Sequence, residues 1–519
     1  MWYNIIIDHI ILEVLAMNKR VLSSSYLGVE SFLIEVEVDI SNGLPNFSII
    51  GLGDTAISES KDRIKTALKN SGFKLEPKKI IVNLSPAGIR KEGSHFDLPI
   101  AIGIMLVMGF IKDRYNAIDN YLFLGELSLN GDVKRIRGAL NSVIFAKENG
   151  YKGVVLPLEN FQEATLIKGI NIVPVENLND VVNFISKNIV KSVQTKIIEK
   201  NEENLMDFLD VKGQSMAKRA LEIAAAGKHN IILIGSPGSG KSMLCKRITT
   251  ILPPLNEKEI IESTKIYSIA GELTESKPII SSPPFRSPHH TSTPVSIVGG
   301  GKKVIPGEIS LASGGVLFLD ELAEFPRSVL ESLRQPLEDG IVSISRAQYR
   351  VEFKSNFIFV AATNPCPCGY ALEPTGKCIC TQTEINKYIK KISGPIMDRI
   401  DLHVEMRRLN ENELLTYQSG DSSKIIRERV IKARAIQKER LGDDIYNGMM
   451  SQKDIQKYCT LSDENREYFK KVIQALQISA RGYDKILKVA RTIADLAGSS
   501  DIEKEHLMEA VSFRENSIN

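Results

Sequence analysis

Apolar and polar positions divide the chain into three patterns. Between residues 17 and 190, short strand-like runs trade places with helix-like ones. "FLIEVEVDI" (32–40) alternates apolar and polar residues. "NFSIIGL" (46–52), "KKIIVNLSP" (78–86), "LFLGELSL" (122–129), "GVVLP" (153–157) and "NIVPV" (171–175) read as further strands. "AISESKDRIKTALKNSG" (56–72) has helical spacing, and so does "LNSVIFAKENG" (140–150), which ends on a glycine. The longest apolar run, "LPIAIGIMLVMGFI" (98–111), is too short to span a bilayer and predicts a buried core helix over 97–110. These elements make one α+β domain over 17–190. The polar stretch 191–205, "KSVQTKIIEKNEENL", is expected to be a linker. Residues 206–405 return to strand–helix alternation and predict an α/β fold with a doubly wound parallel sheet. From 411 onward the periodicity is helical, which predicts a C-terminal helical lid over 406–519.

Composition changes this picture little. Hydrophobic content of 43% and charged content of 25% are ordinary for a globular protein. The net charge of +3 argues neither for nor against nucleic acid, so any such binding rests on local basic groups. Residues 1–16 are apolar but broken by Asp8, His9 and Glu13, and lack the basic start and small-residue cleavage site of a signal peptide. Met17 is the more natural start, so 1–16 are expected to be a disordered extension or an upstream-start artefact. Six cysteines in 519 residues make no disulfide scaffold, and a reducing cytoplasm is expected.

The strongest chemistry lies in "IILIGSPGSGKS" (231–242), an apolar strand entering G-x-x-x-x-G-K-S. Gly235, Ser236, Pro237, Gly238, Ser239 and Gly240 form a loop whose backbone N–H groups can cradle phosphates. Lys241 neutralises the β/γ-phosphates, and Ser242 offers its hydroxyl to Mg²⁺. The positive end of the following helix faces the anion. About eighty residues later, "GGVLFLDE" (314–321) is a buried strand ending in two acids. Asp320 is placed to hold Mg²⁺ and Glu321 to polarise an attacking water. ATP and Mg²⁺ are therefore the expected cofactors.

This order of phosphate loop and acidic strand end resembles the ring ATPases of the AAA+ class. The resemblance implies that Asn364, ending "FIFVAATNP" (357–365), positions the same water. It implies that Arg399, in "SGPIMDRIDLHV" (393–404), enters the neighbouring subunit's ATP site. Arg481, in "ISARGYDKILKVARTIADLAG" (478–498), is implied to touch the γ-phosphate from the lid. Each arginine alone is more often a surface residue; the order of all of them is what is specific.

The fuller set of motifs is similar to the magnesium chelatase-like AAA+ ATPases of the ComM/YifB family. It comprises "GSPGSGKS", "FRSPHHTST", "GEISLASGGVLFLDELAEF", "NPCPCGY", "SGPIMDRIDLHVE" and "SARGYDKILKVARTIADLAG", and the match covers essentially 17–515. The family's likeness to the magnesium chelatase ATPase subunit and to MCM helicases implies a homo-oligomeric, hexameric ring. It also implies a β-hairpin, which "GIVSISRAQYRVEFKSN" (340–356) fits, with Arg346 near its tip. Members resembling ComM drive branch migration during natural transformation. Single-stranded and branched DNA, together with recombination proteins, are the partners so implied, with no membrane. Candidate DNA contacts are Arg346 and the loop "FRSPHHTSTPVSIVGGGKK" (285–303), with Arg286, His289, His290, Lys302 and Lys303. Such cationic and hydrogen-bonding groups would grip phosphates without reading sequence. An ordinary solvated loop is the plainer reading of each. Two other functions fit the same motifs: a chelatase subunit inserting metal into a porphyrin, and an ATPase that remodels protein.

The N-terminal region carries a different likeness. "GELSLNGDVKRIRG" (125–138) resembles part of the proteolytic domain of Lon, an α+β fold of the ribosomal S5 domain 2-like kind. Laid on Lon's Gly-Pro-Ser-Ala-Gly, Gly93 matches the first glycine, His95 falls at the serine and Ser94 lies one residue off. Ser142 stands where Lon's activating lysine would be, and Lys147 is more than a helical turn away. A serine without a base is not activated at neutral pH. The expectation is a Lon-like fold without proteolysis.

Cys366, Cys368, Cys378 and Cys380 follow Asn364 as C-x-C-x₉-C-x-C. They are a candidate Zn²⁺ site, with four reduced thiols in a loop as the alternative. Cys245 and Cys459 stand alone and read as structural.

Overall fold

The computed structural model describes residues 20–51, 53–88, 91–193, 206–301, 304–345, 350–373, 376–392, 394–409 and 420–515. The expectations for 1–16, for most of the linker, and for Lys302, Lys303 and Arg346 therefore lie outside the described residues. The chain divides into two units, one of residues 1–199, 260–280 and 302–305, the other of 200–259, 281–301 and 306–519. Helices from the 406–519 region share one unit with the nucleotide-binding sheet.

In the first unit, β1 (Arg20–Leu27), β2 (Glu30–Ser41), β3 (Asn46–Ile50) and β4 (Lys79–Ser85) form a sheet of order β1-β2-β4-β3. Only the β3–β4 pair is parallel. β1 has no clear alternation in sequence because Ser23, Ser24 and Ser25 interrupt it, yet all three are buried. Helix α1 (Thr55–Asn70) starts on Asp54, whose carboxylate accepts from the Ile57 N–H at 3.0 Å. Helix α2 (Asp97–Val107) is buried along nearly its whole length, as its unbroken apolar run predicts, and packs on β2. The expected strand 122–129 is instead two pieces, β5 (Tyr121–Phe123) and a short bridge, Glu126–Leu127 with Val133–Lys134. The break falls at Gly125, whose N–H donates to the His95 carbonyl at 2.9 Å and whose carbonyl accepts from Leu98 at 3.0 Å. Helix α3 (Ala139–Glu148) follows, and β5, β6 (Gly153–Pro157) and β7 (Asn171–Val175) make a parallel sheet. Helix α4 (Leu178–Lys187) comes last in this stretch.

In the second unit, α5 (Ser215–Gly227) leads into β8 (Ile231–Gly235), and α6 (Lys241–Lys246) follows the phosphate loop. With β9 (Phe285–Arg286), β10 (Val316–Leu319), β13 (Ile358–Thr363) and β14 (Leu402–Met406), β8 forms a parallel sheet of order β9-β10-β13-β8-β14. β8, β10 and β13 are fully buried, so they read as continuous apolar runs rather than alternating ones. β11 (Ile341–Ser345) and β12 (Arg350–Lys354) pair antiparallel as the expected hairpin. Helix α7 (Gln382–Ile389) follows the cysteine segment. α8 (Ser423–Leu441), α9 (Asp463–Leu476), α10 (Ala480–Ala497) and α11 (Lys504–Glu515) complete the unit. α5, α8 and α10 pack on one another, and one hydrophobic core runs from the sheet into this helical part.

Candidate functional site

The predicted nucleotide residues converge at the C-terminal ends of β8, β10 and β13. Beyond β8 the loop turns through Gly238 and Gly240, with φ of +80° and +90°, a conformation that glycine adopts without steric cost. The loop then opens α6 at Lys241. The Lys241 ammonium donates to the carbonyls of Gly235 at 2.6 Å and Ser236 at 3.0 Å, and to Asn364 Oδ1 at 3.3 Å. Burial lowers its pKa, while Asp320 acts to hold its charge. Ser242 Oγ donates to Asp320 Oδ2 at 2.5 Å. The hydroxyl and carboxylate expected to share Mg²⁺ thus already meet, and their oxygen-only chemistry suits that ion. Asp320 Oδ1 accepts from the Glu321 N–H at 2.9 Å.

Glu321 stands just past β10 with φ of 52°, a left-handed conformation unusual outside glycine. Its side chain is 55% exposed, and His290 Nδ1 lies 3.2 Å from Oε2. His290 also packs edge-on to Phe325, and its ring centre lies 4.1 Å from that of His289. The structure therefore seats His290 on Glu321, the acid expected to polarise water, a contact the sequence offers only as an adjacent His pair. Arg286 forks onto Glu308 at 2.6 and 2.8 Å. Its charge is paired within the chain.

Arg399 lies at the other end of the sheet. Its carbonyl accepts from Asn230 Nδ2 at 2.9 Å, and Asn230 immediately precedes β8. The phosphate loop leaves the opposite end of that same strand, five residues and about 16 Å away at the usual strand rise. Arg399 Nη1 donates to the Pro395 carbonyl at 2.6 Å, and Nη2 pairs with Glu338. Arg481, in the first turn of α10, lies 3.9 Å from Asp398 and is 70% exposed. α10 is tied to this same end, since Lys485 donates to the Ile400 carbonyl at 3.0 Å. Arg399 and Arg481 line one cleft of about 470 Å³. The two arginines thus share an edge of the sheet away from the phosphate loop of their own chain.

The four cluster thiols come together. Their sulfurs all lie within 4.8 Å of one another, at 3.3 Å for Cys366–Cys368, 3.6 Å for Cys368–Cys378 and 3.8 Å for Cys366–Cys378. Tetrahedral zinc, with Zn–S near 2.3 Å, needs sulfurs about 3.8 Å apart. The donor set and its spacing fit that ion. The backbone N–H of Tyr370 holds the Cys368 thiol down at about 6.

In the first unit, the Lon-like positions are occupied by structural contacts. Ser94 Oγ bonds Glu126. His95 is buried against Phe96, with ring centres 4.0 Å apart, and burial lowers its pKa to about 4. Ser142 Oγ donates to the Gly138 carbonyl at 3.2 Å, one turn back in α3. Lys91, fully buried, gives its ammonium to the Pro86 carbonyl. Nothing in its sequence setting marks that lysine as buried.

Comparison with known proteins accounts for most of the chain. The family "Magnesium chelatase, subunit ChlI" matches residues 207–414. "Subunit ChlI of Mg-chelatase" matches 36–160, and "Magnesium chelatase, subunit ChlI C-terminal" matches 420–514. Competence protein ComM of Haemophilus influenzae is 40% identical over 503 residues, 95% of this chain and 97% of its own. YifB of Escherichia coli is 39% identical over 491 residues, 94% of this chain and 95% of its own. Lon protease 2 of Bacillus subtilis is 31% identical over 192 residues, a third of each chain (33% and 34%). With a phosphate loop, an acid pair and a parallel sheet in place along a sequence shared end to end with ComM and YifB, the chain belongs to their family of magnesium chelatase-like AAA+ ATPases.

Proposed function

We propose that the chain is a ring-forming ATPase that spends ATP hydrolysis on moving DNA. In this reading it is a branch-migration motor that helps incoming single-stranded DNA join a duplex during natural transformation or recombination. The observation that carries the ring is the placement of Arg399 and Arg481 on the sheet edge opposite their own phosphate loop. A strand's length separates Arg399 from its own loop, so it serves a neighbour's. The cycle follows from the residues. Lys241 and the loop N–H groups hold the phosphates, while Ser242 and Asp320 would hold Mg²⁺, which would offset phosphate charge. Glu321 takes the proton of the attacking water, which Asn364 orients. Arg399 and Arg481 of the adjoining subunit stabilise the charge developing on the γ-phosphate. His290, bonded to Glu321, links that acid to the 287–293 loop.

DNA as the substrate is supported by the relative named competence protein ComM. It is also supported in the sequence by the basic, hydrogen-bonding residues His289, Lys302, Lys303 and Arg346. The four thiols suit a resident Zn²⁺. The Lon-like region is then a scaffold without peptidase activity. The test is ATP-dependent strand displacement on three-stranded and four-way DNA junctions. Protein that hydrolyses ATP but neither binds nor moves branched DNA would transfer the reading to protein remodelling. ATP-dependent metal insertion into a porphyrin would transfer it to chelation.

A further inference from the structure

We infer that the cysteine quartet binds one zinc ion, and that this ion is a clamp that positions the ATP site from outside it. The inference rests on the ATPase reading above. Cys366 is two residues past Asn364, whose side chain meets Lys241 at 3.3 Å. Chelation closes a loop of fifteen residues, from Cys366, three residues past β13, to Cys380 just ahead of α7. Within that loop Gly369 turns with φ of +87°, its N–H donating to the Cys366 carbonyl at 3.0 Å. A Cβ added there would lie 2.6 Å from Cδ of Pro237, inside the phosphate loop, so the cysteine turn and the phosphate loop are in direct contact.

The other end of the clamp is anchored too. Thr381 caps α7 in a reciprocal box with Glu384, and Tyr388 of α7 is buried. Just beyond that helix, Lys391 pairs with Glu324, three residues past Glu321, at 3.3 Å. The clamp thus joins three parts of the nucleotide site: the segment after β13, the phosphate loop and the segment after the acid pair. Among its described residues the loop holds no strand or helix, and its turns close on N–H bonds from Gly369 to the Cys366 carbonyl and from Glu373 to the Tyr370 carbonyl. On binding, the thiols lose their protons to solvent and the ion replaces weak sulfur contacts with four metal–sulfur bonds. Cys366, Cys368, Cys378 and Cys380 are accordingly positioning residues.

The experiment measures zinc content, nucleotide binding and hydrolysis on the full-length protein purified in reductant. Wild-type protein should carry one zinc per chain, and cobalt exchanged into it should give the intense visible absorption of tetrahedral thiolate coordination. Cys378→Ser combined with Cys380→Ser should lose the metal. Its kcat should drop about 100-fold, the cost of ångström-scale misplacement of catalytic groups, with the affinity for a fluorescent ATP analogue little changed. Cys378→His, which keeps a zinc ligand, should restore both metal and rate. Gly369→Ala should keep the zinc and still lower kcat, because it presses on Pro237 without touching a thiol. It also separates misfolding from mispositioning. Wild-type protein that is fully active without metal, or with the thiols paired as disulfides, would overturn the zinc. A zinc-free double variant with unchanged kcat would overturn the clamp. Wild-type protein with zinc but no ATP hydrolysis would instead bring down the ATPase reading.

Discussion

The phosphate-loop site and the Lon-like site are both places where the sequence spells out part of a catalytic motif, and the structure treats them in opposite ways. At the phosphate loop, Lys241, Ser242, Asp320 and Asn364 come from three different strand ends and meet within hydrogen-bond reach. Their present bonds are to each other and to loop carbonyls, partners that a bound phosphate and Mg²⁺ would replace. At the Lon-like site, Ser94 turns to Glu126, Ser142 to its own helix, Lys91 to Pro86, and His95 is held neutral in apolar surroundings. Each polar group is spent separately. Ser94 meets a carboxylate rather than the lysine base of Lon, and Ser142, at the lysine position, bonds its own helix. Spacing in sequence thus marks chemistry only where the side chains converge on a shared space.

The widest gap between the two sites should be seen in hydrolysis. Arg399→Ala should bind ATP yet hydrolyse it about 10³–10⁵-fold more slowly, as expected for loss of an arginine finger. Mixed with Lys241→Ala protein, it should regain part of the rate, because some interfaces then pair an intact loop with an intact finger. Failure to recover in confirmed mixed rings would place Arg399 within its own subunit's chemistry or in the fold alone. Glu321→Gln should cut hydrolysis by about 10²–10⁴-fold with ATP still bound. Normal turnover in that variant would move the polarising role elsewhere, His290 being the nearest candidate.

A smaller effect separates the two regions by pH. Burial holds the folded-state pKa of His95 near 4, below the value of about 6.5 for an unfolded histidine. The unfolded chain then binds more protons in between. Stability from the neutral ring is present above pH ~6.5 and is lost as pH falls toward 4, amounting to about 2 kcal/mol by pH 5. His95→Asn should flatten the fall of Tm between pH 7 and 5 relative to wild type; an identical slope in both would show that the ring is not held neutral. The smallest expected effect is none. Purified protein should not cleave casein or model peptides with or without ATP, and Ser94→Ala should leave ATP hydrolysis unchanged. Peptidase activity that disappears in Ser94→Ala would erase the contrast between the two sites.

Much of this was legible in the chain because it depends on local rules. Buried parallel strands read as apolar runs, as in "IILIG" and "VLFL", and the glycines of 235–240 declare a backbone that must curl. The hairpin of β11 and β12 shows in its period of two. β1 was hidden, since its buried serines look polar until β2 covers them. The split of 122–129 was hidden too, because it is set by contacts of Gly125 with His95 and Leu98 some thirty residues away.

By itself, then, the sequence determined the nucleotide loop, most of the strands and helices along the chain, and the identity of the acids, arginines and thiols. Only the tertiary structure decided what each of them faces. It moved Arg399 and Arg481 to the far edge of the sheet, bound His290 to Glu321, committed Arg286 to Glu308 and gathered four sulfurs within 4.8 Å. The reason is physical: propensity and periodicity act over a few residues through backbone sterics and hydrogen bonding. The partners of a side chain are set by which strand ends the sheet order brings together.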